Sequence, residues 1–245
     1  MSDPVPDLVP DPVPDPVPDP VPDLVPDVVP GEVLGPWTLR STVVGPLATN
    51  AYALTHVAGA RVLVDPGDDA PALLALLDAG TAARRLDLVV VTHRHPDHLG
   101  ALAEVVAATG APVAAGADDA DAVADVTGVA VAHRLGHGDR LPLPAGAASD
   151  APGVVALRGH TPGSVALVLG SPTAGVHLLT GDSLFPGGVG ATGGEPARFA
   201  SLLADVRTRL FDRFDDATTV RPGHGAATTL GVERPSLDAW AARGW

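Results

Sequence analysis

The chain has 245 residues, 46% of them apolar, which is enough to bury a full core, and no apolar run reaches the roughly eighteen residues of a membrane span. It contains neither cysteine nor lysine, which excludes disulfides, thiolate ligands, Schiff-base chemistry and a P-loop lysine. A net charge of −14 argues against a nucleic-acid partner, because such affinity comes largely from neutralising phosphates with basic side chains.

Residues 3–30 are seven consecutive tetrapeptides of the form Asp-x-Val-Pro, with Pro, Leu or Val at x. Proline at every fourth position or closer removes backbone donors and blocks helix, while one aspartate per repeat keeps the segment solvated and self-repelling. Residues 1–30 are therefore expected as a disordered tail, extended as polyproline II at about 3.1 Å per residue. A spacer role or recognition by a proline-binding module are its functional options. Half of the net charge belongs to this segment, which holds seven aspartates and no arginine, so residues 31–245 are only moderately acidic. The N-terminus has neither the basic n-region nor the apolar h-region of a signal peptide, and a soluble, cytoplasmic protein is the expectation.

From residue 31 the texture changes to short strands interleaved with helices, consistent with one catalytic domain over 31–245. Apolar, β-branched runs predict strands over 37–44, 50–56, 61–65, 88–92, 112–115, 154–157, 165–169, 176–180 and 219–221. Alanine- and leucine-rich segments predict helices over 71–79, 99–109, 117–126, 196–210 and 233–242. Neighbouring strands joined by short turns, mixed with helices, indicate an α/β domain with mixed sheets.

The strand over 88–92 runs directly into Thr92-His93-Arg94-His95-Pro96-Asp97-His98, an HxHxDH cluster. Extended residues two apart share a face, so His93 and His95 project together. Pro96 keeps His95 extended and is suited to opening a helix, which places Asp97 and His98 in the first turn of the helix that follows. Imidazole nitrogen and carboxylate oxygen suit zinc and related divalent metals, and this geometry can serve two adjacent cations. Three further segments put a metal-capable residue among glycines at the end of an apolar strand: Gly159-His160-Thr161-Pro162-Gly163, Thr180-Gly181-Asp182-Ser183 and Pro222-Gly223-His224-Gly225. His56, His133, His137 and His177 lack that setting and are expected to be structural or exposed. The glycine-rich run over 187–194 has neither the spacing nor the lysine of a phosphate loop and is expected as a mobile loop lining the metal site.

In this order, HxHxDH, GHT-P-G, GD-S-L-F and PGHG resemble the metallo-β-lactamase-fold hydrolase superfamily across residues 31–245. The phrases Thr49-Asn50-Ala51-Tyr52, Val64-Asp65-Pro66-Gly67 and Thr228-Thr229-Leu230-Gly231-Val232-Glu233 resemble its glyoxalase II-like branch. The resemblance implies a four-layer αβ/βα sandwich of two mixed sheets flanked by helices, with a dinuclear metal site at one edge. It implies that His93, His95 and His160 hold one metal, that Asp97, His98 and His224 hold the other, and that Asp182 bridges them. Asp97 would also orient a metal-bound hydroxide, and Asp65 would fix a ligand imidazole from behind. The implied cofactors are two divalent ions, zinc first, with iron or manganese as alternatives. Two such ions with Asp97, Asp182 and one hydroxide leave a net positive centre able to stabilise a developing oxyanion.

The implied activity is hydrolysis of a small ester-like substrate, first a thioester of the hydroxyacylglutathione kind, whose thiolate, with a pKa of about 8.5, leaves with little acid assistance. The alternatives are a mononuclear iron persulfide dioxygenase using His93, His160 and Asp182, or a lactonase or β-lactamase on the same scaffold. Two departures bear on the substrate. Ala191-Thr192-Gly193-Gly194 stand where the glyoxalase II and persulfide dioxygenase types commonly carry an arginine and an aspartate, and only 21 residues follow His224, too few for the glutathione-holding helical domain of true glyoxalase II.

Overall fold

The computed structural model describes residues 31–78, 85–171 and 175–244. The repeat expected as a tail lies outside the described residues, as does residue 79 at the end of the first expected helix. Seven strands form the first sheet in chain order: β1 (Glu32–Leu34), β2 (Trp37–Val44), β3 (Thr49–His56), β4 (Arg61–Val64), β5 (Leu88–Val91), β6 (Val113–Gly116) and β7 (Val131–Leu135). The first four pair antiparallel and the last four parallel. The parallel crossovers are made by α1 (Ala70–Asp78), α2 (Leu102–Thr109) and α3 (Ala120–Thr127).

The second sheet is built from β8 (Gly153–Ala156), β9 (Val165–Ser171), β10 (Gly175–Gly181), β13 (Thr219–Pro222) and β14 (Thr228–Thr229), in the order β14-β13-β10-β9-β8. Between β10 and β13 lie a two-strand ribbon, β11 (Leu184–Phe185) with β12 (Gly188–Val189), and α4 (Pro196–Val206). The chain closes with α5 (Leu230–Glu233) and α6 (Leu237–Arg243).

Three apolar layers follow from the two-residue period of the strands. Leu63, Val89, Val91 and Ala115 face α1 to α3, meeting Leu73, Leu102, Val105 and Val123. Their alternates Val62, Val64, Leu88, Val90 and Ala114 face the second sheet, meeting Val154, Val165, Leu167, Leu169 and Leu179. On the far side of that sheet, Ala166, Leu178 and Val220 pack on Leu202, Val206, Leu210, Phe211 and Trp240. β4 and β5 are apolar throughout because both of their faces are covered, and each fully buried Leu or Val contributes about 1.5–3 kcal/mol. Helices, sheet, sheet, helices make the four-layer sandwich expected from the motifs.

The structure departs from the sequence reading at several points. Asp97 and His98 do not begin α2; they occupy a separate 3-10 turn, Pro96–His98, and the α-helix starts only at Leu102. The helix expected over 233–242 is divided by Pro235, which cannot donate within a helix, into α5, the turn Arg234–Ser236 and α6. β7 was not expected: as an edge strand it is half exposed along its length and lacks the apolar run that marked its neighbours. Part of the glycine-rich segment is not loop but the β12 strand. No helix among the described residues is long and apolar enough to cross a membrane.

Candidate metal centre

The candidate ligands follow strand ends at one edge of the sandwich. β4 and β5 are parallel, and β8, β10 and β13 point one way because β9 is antiparallel to both β8 and β10 while β13 is parallel to β10. Asp65 follows β4, the HxHxDH run follows β5, His160 lies beyond β8, Asp182 directly after β10, and His224 after β13. Sheet topology thus carries residues 65 and 93–98 to one edge of the first sheet and residues 160, 182 and 224 to one edge of the second, and the packing of the two sheets brings all seven candidate ligands together there.

Three trios have ligand atoms within 4.8 Å of one another: His93, His95 and His160; His93, His98 and Asp182; and Asp97, His98 and His224. Asp182 is central. Its Oδ1 lies 3.4 Å from His98 Nε2, and its Oδ2 lies 3.5 Å from His224, 3.7 Å from His160 and 4.0 Å from His93 Nε2. Asp97 Oδ2 stands 3.0 Å from His224 Nε2 and accepts from Thr49 Oγ1 at 3.3 Å. Gly181 and Gly223 let these strands end so close together. Gly181 has φ of 47°, and a Cβ on it would collide with Thr92, while a Cβ on Gly223 would collide with Asp182 Oδ1 and His98 Cε1.

The rings are held from behind in one tautomer. His160 Nδ1 donates to the Ala191 carbonyl at 2.7 Å and His224 Nδ1 to the Leu47 carbonyl at 3.0 Å. Asp65, buried after β4 with a left-handed φ of 54°, accepts from Thr92 N and from Thr92 Oγ1, both at 2.7 Å, and lies 3.0 Å from His98 Nδ1. Because the Thr92 hydroxyl hydrogen goes to Asp65, its oxygen accepts from His93 Nδ1 at 3.2 Å. His93, His160 and His224 therefore each turn an Nε2 lone pair into the site. His93 Nε2, His160 Nε2 and Asp182 Oδ1 are buried with no hydrogen-bond partner. Converging, unpartnered lone pairs on nitrogen and carboxylate oxygen fit a pair of divalent cations.

The electrostatics agree with that donor set. Burial first, and then the neighbouring imidazoles of His98, His160 and His95, hold His93 well below the ordinary histidine value. Burial also lowers His95 and His160. Burial opposes a charge on His98 as well, but Asp65 and then Asp182 outweigh it and push its pKa up to about 10. For Asp182 burial disfavours ionisation, yet the surrounding imidazoles, His98 foremost, keep its carboxyl below the usual range.

The other histidines stand elsewhere. His56 is buried against Trp37, ring centroids 4.8 Å apart, and lies 3.4 Å from Asp150. His177 is buried beside Arg221, whose Nε lies 3.3 Å from its Nδ1; His133 is half-buried on β7 and His137 is exposed. Sequence reasoning did not find Thr92, the Ala191 and Leu47 carbonyls, Arg198, or Asp119. Arg198 donates to the carbonyls of Gly159 and His160, and Asp119 is fully buried against Arg94, between His93 and His95, and against Thr161 and Gly163, just after His160. A signal for Asp119 existed: it follows β6 in Gly116-Ala117-Asp118-Asp119, the same strand-glycine-acid pattern as Asp182.

A model of the metallo-beta-lactamase superfamily matches residues 44–224. A hydroxyacylglutathione hydrolase of Anaeromyxobacter dehalogenans is 38% identical over 191 residues, 73% of this chain and 62% of that protein. The chain spans about three fifths of the length of this and other hydroxyacylglutathione hydrolases it matches. Among solved structures, TTHA1623 in a di-iron-bound form is 35% identical with a TM-score of 0.60, covering 79% of this chain and 96% of that one. ETHE1 from Myxococcus xanthus is 25% identical with a TM-score of 0.66, covering 83% and 84%. The two-sheet sandwich, the strand-end donors and the matched span agree, and the chain belongs to the metallo-beta-lactamase superfamily.

Proposed function

We propose that the chain is a dinuclear metal-dependent hydrolase of a small ester-like substrate, first a thioester of the hydroxyacylglutathione kind. The observation that carries this reading is the convergence of two separate trios, His93-His95-His160 and Asp97-His98-His224, on the single carboxylate of Asp182. Two divalent ions held there supply Lewis acidity toward a carbonyl oxygen and make water nucleophilic near neutral pH. The di-iron form of TTHA1623 supports iron beside zinc and manganese as the metal.

The protein's own groups do the positioning. Asp97, anchored by the Thr49 hydroxyl, offers a carboxylate oxygen at the mouth of the site that orients the attacking water by accepting its hydrogen bond. Asp65, Ala191 O and Leu47 O stand behind His98, His160 and His224 and limit how far those imidazoles reorganise. No lysine or cysteine stands ready as a proton donor, which suits a thiolate leaving group better than an alkoxide or amine. The similarity to hydroxyacylglutathione hydrolases supports the same substrate class.

Persulfide oxygenation is the second reading, favoured by the likeness to ETHE1. The test is thiol release from acyl thioesters, set beside oxygen consumption with a persulfide and turnover of a lactone and a β-lactam. Thiol release without oxygen uptake is expected; oxygen uptake alone overturns the hydrolase reading.

A further inference from the structure

Asp119 is among the least exposed charged groups described, with 0% of its surface accessible. It stands at the N-cap of α3, where an aspartate ordinarily accepts from the first turn of its own helix, yet its side chain makes no such bond. The carboxylate is turned the other way. Oδ2 accepts from the backbone N–H of Arg94 at 3.1 Å and from Thr161 Oγ1 at 2.5 Å, and Oδ1 accepts from the backbone N–H of Gly163 at 3.0 Å.

These partners come from two segments far apart in sequence. Arg94 lies between His93 and His95, and alternation along an extended chain sends its side chain opposite to theirs. Its Nε lies 3.7 Å from Asp119 Oδ1 and supplies countercharge to the buried carboxylate. Thr161 and Gly163 flank Pro162 directly after His160, and Thr161 is tied further to Ser164, with the two hydroxyl oxygens 2.6 Å apart. A Cβ on Gly163 would collide with Asp119, so the close approach is built into the sequence.

We infer that Asp119 is the positioning residue that locks the His93-His95 arm to the His160 arm and thereby sets the geometry of that one trio. Its hydrogen bonds go to no candidate ligand side chain, although its charge is felt at His95. The Asp97-His98-His224 trio receives no bond from it, so its effect is selective between the two positions. The inference rests on the two-ion reading proposed above.

Chelator-competition titrations of zinc into the full chain test it, read as two separate affinities. Asp119→Asn keeps the volume but places an amide N–H₂ against N–H or O–H donors. It is expected to weaken one zinc position by about 10- to 100-fold, the usual cost of losing a partner behind the ligands, while the other stays within about 3-fold. In a His224→Ala background, which removes a ligand of the other trio, Asp119→Asn is expected to weaken the remaining position by the same factor. Thr161→Val is expected to act in the same direction and Thr161→Ser to restore the wild-type affinity, a rescue that general loss of packing does not show. If Asp119→Asn gives no cooperative melt, the Thr161 pair carries the test. Equal weakening of both positions, no weakening, or Thr161→Ser behaving like Thr161→Val overturns the inference. A wild-type chain holding a single ion contradicts the two-ion reading instead, and Asp119 is then judged by whether that ion's affinity falls in Asp119→Asn.

Discussion

The Nε2 atoms of His98 and His224 face each other at 3.3 Å. His224 commits its Nδ1 hydrogen to the Leu47 carbonyl and so turns an Nε2 lone pair toward His98, beside Asp97 and Asp182, while His98 lies with its Nδ1 3.0 Å from the Asp65 carboxylate. In the absence of metal, His98, with its pKa pushed up to about 10, against burial, by Asp65 and Asp182, supplies the proton between the two rings at neutral pH, the place a cation would take.

Metal removal is expected to destabilise the fold, because an ion that only the folded chain binds adds to its stability. At free zinc about a thousandfold above its dissociation constant, one site contributes about 4 kcal/mol, which in a domain of this size shifts the melting temperature by about 8–16 °C. Thermal unfolding in excess chelator and in excess zinc measures it, and superimposable melts would contradict the role given to His98 and His224.

The metal-free protein carries a pH signature of His98. A folded pKa near 10 lies above the ordinary value of 6.5, so the stabilisation is fully present below pH 6.5 and is lost as pH rises through about 10. His93 acts with the opposite sign: buried and held well below its ordinary value, it favours unfolding as pH falls beneath 6.5. Chelated protein should lose stability on both sides of neutrality. Asp65→Asn, which removes the largest charge favouring protonated His98, should flatten the alkaline limb in denaturant titrations from pH 7 to 10.

Gly223 offers a test that alters no ligand. Gly223→Ala drives a methyl into Asp182 Oδ1 and the His98 ring. The expected cost is about 1–3 kcal/mol of stability from overpacking, with metal affinity lower by about tenfold. Unfolding midpoints and zinc titrations read the two effects separately, and wild-type affinity in this variant would mean that Asp182 is not where the metals sit.

Asp182→Asn keeps shape and removes the charge shared by both trios. Bound metal per chain should fall, and thioester hydrolysis should drop by more than the roughly 100-fold upper range for a partner behind the ligands. Activity within about threefold of wild type would separate Asp182 from the chemistry.

The parts of the site legible in the sequence were side chains with fixed local spacing. HxHxDH, Gly159-His160, Gly181-Asp182 and Gly223-His224 each announce themselves at a strand end, and the alternating apolar faces of β4 and β5 announce a sheet covered on both sides. The Ala191 and Leu47 carbonyls that fix two imidazoles were not legible, because a backbone acceptor leaves no mark on residue type. The start of α2 was misread because Pro96 opens a 3-10 turn as readily as an α-helix. Asp119 was overlooked although it follows the Asp182 pattern, since its partners Arg94 and Thr161 meet it only after the two sheets pack.

Elemental analysis of purified, active full-length protein, paired with thioester turnover on the same sample, addresses the dinuclear hydrolase most directly. Two divalent ions per chain, with hydrolysis lost on chelation and regained on adding zinc, iron or manganese, is the expected result. Less than one ion per chain in a fully active sample, or hydrolysis that survives complete chelation, contradicts it.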